Sequence, residues 1–390
     1  MPTPDASEYT NKLKFLLREQ LINDPAKRNY FTGTYVNSIN AVTLPNFLSS
    51  ISKIIPQVEA APPIAEYAWT EQSSAGSQPY NRLEMTSDGN TVISTRSSDV
   101  LDARGPYISI DGGATWARKV NGITFLTNGS SYTVDVDVAR GNGSIMYIAQ
   151  RRTFVSTVAS TYDTIYKTTN GGDNWAVTTA PNSTWQSIAC SSDGSIILAG
   201  NSNSGTLAYD RRWAISTDGG ATWSAGATTG QWTDVAMSDD GSRMYAINTG
   251  VATFYRSADT GATWSTTSIS VAGRAVACSS DGLTVLIGRG GSSTPMVSTN
   301  GGVSFTAVTG VPSGFWGGVS VSSDGTVMAA LLNTTTARIW ISTDSGTTWN
   351  EQSGSPSINF WSSTAINSDG TKIIAGPGST AKPYVGIPAS

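Results

Sequence analysis

With 390 residues, 38% of them hydrophobic and 9% aromatic, the chain can bury a substantial core, and one large repeat domain accounts for its length as well as two ordinary domains would. A net charge of -4 without a basic tract argues against a nucleic-acid partner, and the complete absence of histidine excludes Ser-His triads and effectively excludes zinc sites. Only 13% of residues are charged, and Ser, Thr, Gly and Asn fill the difference, which suits short strands joined by tight turns.

Residues 1–62 differ from the rest. Asp5 and Glu8 make a capping-box-like start, and Tyr9, Leu13, Leu16, Leu17 and Leu21 then recur at helical spacing up to Pro25. A second apolar piece after Pro45, with Phe47, Leu48, Ile51, Ile54 and Ile55, predicts a short helix, and Pro56, Pro62 and Pro63 predict a stiff linker. The apolar face of such a small arm needs a partner: the following domain, another copy of the chain or a host assembly. The first residues lack the cationic start and apolar core of a secretory signal, and no apolar run reaches membrane-spanning length, so membrane insertion is not expected.

Residues 63–390 carry two recurring phrases. The first is an Asp-Gly turn followed by an apolar strand, at Asp88-Gly89, Asp193-Gly194, Asp240-Gly241, Asp281-Gly282, Asp324-Gly325 and Asp369-Gly370, with Gly141-Asn142-Gly143 as a degenerate seventh copy. Asp-Gly between apolar stretches is a strong hairpin signal, because both central residues tolerate positive φ, and seven hairpins predict seven blades. The second phrase reads Ser109-Ile110-Asp111-Gly112-Gly113-Ala114-Thr115-Trp116 in its first copy and recurs around Asn170 and Trp175, Asp218 and Trp223, Asp259 and Trp264, Asn300 and Phe305, and Asp344 and Trp349. Its period of roughly 40–60 residues is that of one β-propeller blade. One blade lacks this phrase at the C-terminal end, while Trp69-Thr70-Glu71-Gln72-Ser73 reads almost as Trp349-Asn350-Glu351-Gln352-Ser353. The segment around 66–72 is therefore predicted to enter the last blade and close the ring.

The second phrase is similar to the Asp-box, or BNR, repeat, and the chain resembles that family throughout the repeat region. The resemblance implies an all-β, seven-bladed propeller in which each box is the turn between the third and fourth strands. The carboxylate or amide then accepts turn N–H groups, glycine supplies unusual dihedrals, and the aromatic packs between sheets. It does not choose a function, because the family includes sialidases, sortilin-type receptors and photosystem assembly factors. A sialidase-like hydrolase implies three arginines on a carboxylate, a tyrosine nucleophile with a glutamate partner and an acidic proton donor. Only Tyr80-Asn81-Arg82-Leu83 matches the first arginine motif, and that faintly, while Glu66, Glu71, Glu84 and Glu351 are the few glutamates of the repeat region. No catalytic residue, metal or cofactor is assigned.

Tyr80, Trp185, Trp232, Trp316 and Trp361 occupy one register ahead of successive Asp-Gly turns, with Gly273 the exception. In that register they are expected to ring one mouth of the channel, either packed between blades or exposed as a stacking platform for sugars or a peptide. Arg151, Arg152, Arg211, Arg212 and Arg289 fall in or near loops on the same face, and Arg82 and Arg274 stand near the starts of inner strands, which adds attraction for an anionic glycan or an acidic protein. Ala189, Ala236, Ala277, Ser320 and Ala365 predict close approach of the inner strands around the channel, interrupted by Glu84, with Asp137 in the irregular second blade and water as the expected occupant. Cys190 and Cys278 lie in equivalent places of non-adjacent blades and are expected to be buried free thiols. Thr3 to Thr10 resembles a short opening phrase on proteins of large DNA viruses, which implies anchoring of the arm in a virion or at an extracellular surface. These features together predict a non-enzymatic adhesion propeller for a glycan or protein, with a sialidase-like hydrolase and a structural spacer or assembly protein as the alternatives.

Overall fold

The computed structural model describes residues 66–389, apart from 78, 97–104, 126–128, 155–163, 202–211, 249, 334–336, 357, 359 and 380. The helical arm and linker expected over residues 1–62 lie outside the described residues. Among the described residues there are seven four-stranded antiparallel sheets and no helix. Their inner strands are, from blade 1 to blade 7, Tyr80–Met85, Gly129–Val138, Trp185–Cys190, Trp232–Met237, Gly273–Cys278, Phe315–Val321 and Trp361–Ile366. Each packs against the next, and the seventh packs against the first, so the sheets form a closed propeller. Blade 7 draws three strands from the C-terminal end and its outer strand, Tyr67–Glu71, from the beginning of the domain, as the repeat comparison predicts.

The second strands, such as Ile197–Asn201, Met244–Asn248 and Ile373–Pro377, are buried along their whole length, while outer strands such as Ala176–Val177 and Asn350–Glu351 face solvent. The core therefore lies in the seams between blades. One seam holds Leu286, Met328, Trp316, Trp340 and Trp349, and the seam at the closing strand holds Tyr67, Ile339, Ile341, Trp361 and Ile373.

Both sequence phrases act as turn chemistry. In the first Asp box, Asp111 Oδ1 accepts the Thr115 N–H at 2.8 Å and the Ser109 hydroxyl at 2.7 Å, while Ser109 Oγ accepts the Gly113 N–H at 2.8 Å. Trp116 then donates its indole N–H to the Gly113 carbonyl at 2.7 Å. The boxes at Asn170, Asp218, Asp259, Asn300 and Asp344 repeat the acceptor role. Where the first copy has Gly112, with φ of 71°, two later copies have Thr260 and Ser345, held at φ of 56° and 58°. In the Asp-Gly turns only glycine takes positive φ, between 68° and 75°. The aspartate stays right-handed because its carboxylate accepts the N–H two residues on, as Asp88 does from Asn90 at 3.0 Å.

These turns carry an inter-blade relay. The Ser87 N–H donates to the Arg140 carbonyl (3.0 Å), Gly141 to Ser192 (3.0 Å), Ser192 to Asp239 (2.8 Å), Asp239 to Ser280 (2.9 Å), Ser280 to Ser323 (2.9 Å), Ser323 to Ser368 (2.9 Å), and Ser368 back to Ser87 (2.9 Å). Seven main-chain bonds thus encircle one end of the channel. The degenerate turn of blade 2 keeps its place because Asn142 Oδ1 accepts the Ser144 N–H at 3.1 Å, in the manner of the aspartates.

The closing strand is pinned at Tyr67, which is 2% exposed. Its N–H donates to Gln352 Oε1 of blade 6 at 2.8 Å, and its hydroxyl donates to the Gly370 carbonyl of blade 7 at 2.6 Å. Tyr67→Ala is expected to lower the unfolding free energy by about 3–4 kcal/mol and to keep a single transition in chemical denaturation, because opening blade 7 opens the ring. Thr260→Gly and Ser345→Gly each relieve a left-handed β-branched or hydroxyl residue and are expected to raise stability by roughly 0.5–1 kcal/mol, read from the same denaturation midpoint.

Candidate functional site in the central channel and at its mouth

The expected aromatic platform is corrected by the structure. Tyr80, Trp185, Trp232, Trp316 and Trp361 are all 0% exposed. Each inner strand carries a one-residue bulge directly after this position, seen as the register shifts Tyr80/Arg82, Trp185/Ser187, Trp232/Asp234, Trp316/Gly318 and Trp361/Ser363. Both faces of an inner strand pack into seams, and the bulge sets which seam each side chain enters: Trp185 shares one with Ile188 and Cys190, while Ala189 enters the other. Trp185 packs with Ile188 and Cys190, and Tyr80 with Leu83 and Met85. The rings are inter-blade wedges.

Beyond the bulge, the side chains reach a lumen of about 70 Å³, lined among others by Arg82, Glu84, Asp135, Asp137, Arg140, Asp234 and Asp239. Small residues from blades 3 to 7, including Ala189, Ala236, Ala277, Ser320 and Ala365, form the rest of the wall, as their spacing predicts. Arg82 crosses the channel from blade 1, with Nε 3.1 Å from Asp135 of blade 2 and Nη2 2.6 Å from Asp234 of blade 4. Burial alone would weaken its hold on the proton, but the two carboxylates outweigh that and raise its pKa. Its guanidinium is therefore committed within the protein, which corrects the expectation that it faces a ligand.

The lumen carboxylates also satisfy edge-strand amides. Asp135 Oδ2 accepts the Ile188 N–H of blade 3 at 2.8 Å, Asp137 Oδ2 accepts Cys190 N–H at 2.6 Å, and Asp234 Oδ2 accepts Val276 N–H of blade 5 at 2.8 Å. Ser187 and Ser363 do the same for Val235 and Leu83. Burial pushes Asp135 up to about 6 and Asp137 up to about 7, and it raises Glu84 well above the carboxylate range, with Asp137 the next largest influence on Glu84. Cys190 and Cys278 are free and buried in the same wall, and burial raises both thiols, Cys278 to about 12. Among the described residues no group of three or more acidic, cysteine or histidine side chains is placed to hold a metal ion.

The remaining predicted arginines separate. Arg289 is 6% exposed and donates to the carbonyls of Thr294 (2.6 Å) and Ile269 (3.3 Å), so it braces two loops and is corrected to a structural role. Arg212 opens the third strand of blade 3 and is half-buried. Arg151 and Arg152 lie on the second strand of blade 2, with side chains outside the described set, and Arg211 lies outside the described residues. Arg274 occupies the bulge of blade 5, is exposed, and holds its guanidinium carbon 5.4 Å from the ring centre of Phe315 in blade 6. In the same register of blade 7, Phe360 is 41% exposed. Sequence reasoning passed over Phe315 and Phe360 because each directly precedes a tryptophan of the aromatic series.

Residues 214–225 match the family model of the BNR/Asp-box repeat. No curated protein matches the chain in sequence. Among solved structures, the chain is similar to the GH74 xyloglucanase from Xanthomonas campestris, at 16% identity and a TM-score of 0.59, covering 80% of this chain and 52% of that one. It thus spans about half the length of that enzyme. It is also similar to YCF48 bound to a D1 peptide (13% identity, TM-score 0.57, 83% and 96% covered) and to YCF48 from Cyanidioschyzon merolae (12%, 0.57, 82% and 98%). At these identities the likeness is one of fold. The described residues form a seven-bladed propeller with an Asp-box repeat matched at residues 214–225.

Removing the lumen guanidinium leaves Asp135 and Asp234 buried without their cation. Arg82→Ala is expected to cost about 3–5 kcal/mol in chemical denaturation at neutral pH, and less in mild acid, where the carboxyls take up protons.

Proposed function

We propose that the chain is a non-enzymatic binding propeller that takes a protein segment across the mouth of its channel, with Arg274, Phe315 and Phe360 as contact groups. The observation that carries this reading is the arginine-aromatic pair formed by Arg274 and Phe315, with the exposed ring of Phe360 before the inner strand of the next blade. An exposed guanidinium on an aromatic face, with a second ring in the neighbouring blade, suits a peptide that offers an aromatic or acidic side chain. A lumen of about 70 Å³ is too small for a sugar ring or a peptide backbone, so the ligand lies over the opening. The structural likeness to YCF48, one example of which is bound to a peptide, is consistent with this use of the fold. Residues 1–62 then serve as an arm for attachment, to a virion or another surface, or for self-association.

The hydrolase reading draws on the xyloglucanase likeness. Against it, Asp135 and Asp234 are held by Arg82 and by main-chain amides, which supports a structural task for the lumen carboxylates. A random peptide library panned on the wild-type chain is expected to yield binders, and the combined variant Arg274→Glu and Phe360→Ala to lose at least about tenfold in affinity for them while keeping its melting temperature. Binders that hold both proteins equally, or turnover of a xyloglucan or sialoside substrate by the wild type, would sink the reading.

A further inference from the structure

In five Asp boxes the second side-chain atom of the acid or amide is tied to the hydroxyl four residues on. Thr115 donates to Asp111 Oδ2 at 2.5 Å, Thr222 to Asp218 at 2.5 Å, Thr263 to Asp259 at 2.5 Å and Thr348 to Asp344 at 2.6 Å, while in blade 5 the Asn300 amide donates to Ser304 Oγ at 2.8 Å. The box of blade 2 breaks this pattern. It has asparagine at both places, Asn170 and Asn174, and neither Nδ2 group donates to a described residue.

The two amides are nonetheless held in place. Asn170 Oδ1 accepts the Thr168 hydroxyl at 2.8 Å and the Asn174 N–H at 3.0 Å. Asn174 Oδ1 accepts the Nδ2 of Asn121, which follows the outer strand of blade 1, at 2.5 Å. With each oxygen engaged, each NH2 group is a donor whose direction is set before any ligand arrives. The turn is also uncovered. A Cβ placed on Gly112 or Gly219, at the same box position in blades 1 and 3, would meet the ammonium of Lys372 or Lys167, whereas one on Gly171 would meet nothing within 4 Å.

Asn170 and Asn174 line a cleft of about 480 Å³ that runs to the box of blade 3, a volume within the range of small-molecule sites. Its two charged residues, Lys167 and Asp218, cancel, and both are engaged: Lys167 Nζ donates to the Gly219 carbonyl at 2.9 Å, and Asp218 holds its own turn. Thr169 adds an exposed hydroxyl, and Val177, 61% exposed, adds an apolar surface.

We propose that this cleft is a carbohydrate site that takes one neutral sugar residue of a glycan, with Asn170 and Asn174 donating to its hydroxyl oxygens and Val177 against its C–H face. Neutral amides and a hydroxyl match ring hydroxyls, which accept and donate alike. The cleft offers no unengaged ammonium or guanidinium, the groups that select an acidic ligand. One exposed valine is too little for the buried anchor that a protein interface needs. The site lies apart from Arg274, Phe315 and Phe360 and does not rest on the peptide reading of the mouth.

The test is an array of neutral and acidic glycans probed with the full chain, followed by calorimetric titration of the best neutral glycan. One variant combines Asn170→Asp with Asn174→Thr, which rewrites the blade 2 box in the form used by blades 1, 3, 4 and 6. The wild type is expected to bind a neutral glycan, and this variant to lose at least about tenfold in affinity while its melting temperature holds or rises, because the hydroxyl-to-carboxylate bond then closes the box. Val177→Glu is expected to lose affinity as well, and it decides the matter should the double variant fold poorly. Ile110→Ser, at an exposed box position of blade 1, is expected to follow the wild type. No binding of any neutral glycan, binding confined to acidic glycans, or equal affinities for the wild type and the cleft variants would overturn the site.

Discussion

Each blade donates one main-chain N–H to the next, and the series ends where it began, at Ser87. That closed relay is the constraint on which the rest of the molecule depends. It fixes the turn ends of seven inner strands in one circle, and a circle admits a whole number of blades. Once they are held so close, small residues recur where the inner strands of blades 3 to 7 approach the channel, at Ala189, Ala236, Ala277, Ser320 and Ala365. The outer circumference is closed separately, by a strand from the start of the domain. Tyr67 ties that strand to both blade 6 and blade 7, so sequence-distant ends become neighbours and an open sheet edge disappears.

Much of this was legible in the repeats. A box of Ser, Asp, Gly and Trp encodes its own hydrogen bonds locally, so six copies could be placed without knowledge of the surroundings. The closing strand was readable because Gln72 and Gln352 sit in nearly identical phrases, and both take the same part in their turns, with N–H groups donated to Pro383 and Ile339 at 2.9 Å. The sidedness of the aromatic series was not readable. A bulge is a property of two paired strands, and nothing in Tyr80-Asn81-Arg82 announces that Arg96 and Thr95 will face Tyr80 and Arg82 with one residue left over. A shift of one residue decides which of the two seams a ring enters. The same limit applies to Arg82, whose partners Asp135 and Asp234 come from blades 2 and 4 and are brought together only by the curvature of the ring.

The bulge also explains why buried wedges and the ligand-facing candidates sit side by side in the chain. Where one residue is inserted, the wedge before it stays in the seam and the inserted residue is released toward the opening. Gln186, Arg274 and Ser362 occupy that inserted position in blades 3, 5 and 7. Ser362 donates to the Asn81 carbonyl of blade 1 (3.3 Å) and Arg274 is exposed, whereas the neighbouring Trp185 and Trp361 are fully buried.

Rigidity at the turn end and variability at the other end bear on how the molecule can work. Seven blades locked by main-chain bonds offer a fixed platform, so a ligand at the mouth meets groups whose spacing is already set, and little ordering is required on binding. Arg82 joins blade 1 to Asp135 of blade 2 and Asp234 of blade 4, while other seams use amide-to-side-chain bonds at Asp135, Asp137, Ser187, Asp234 and Ser363. A change in lumen charge would therefore act on more than one seam, because Asp135, Asp137 and Asp234 are themselves the acceptors of neighbouring amides.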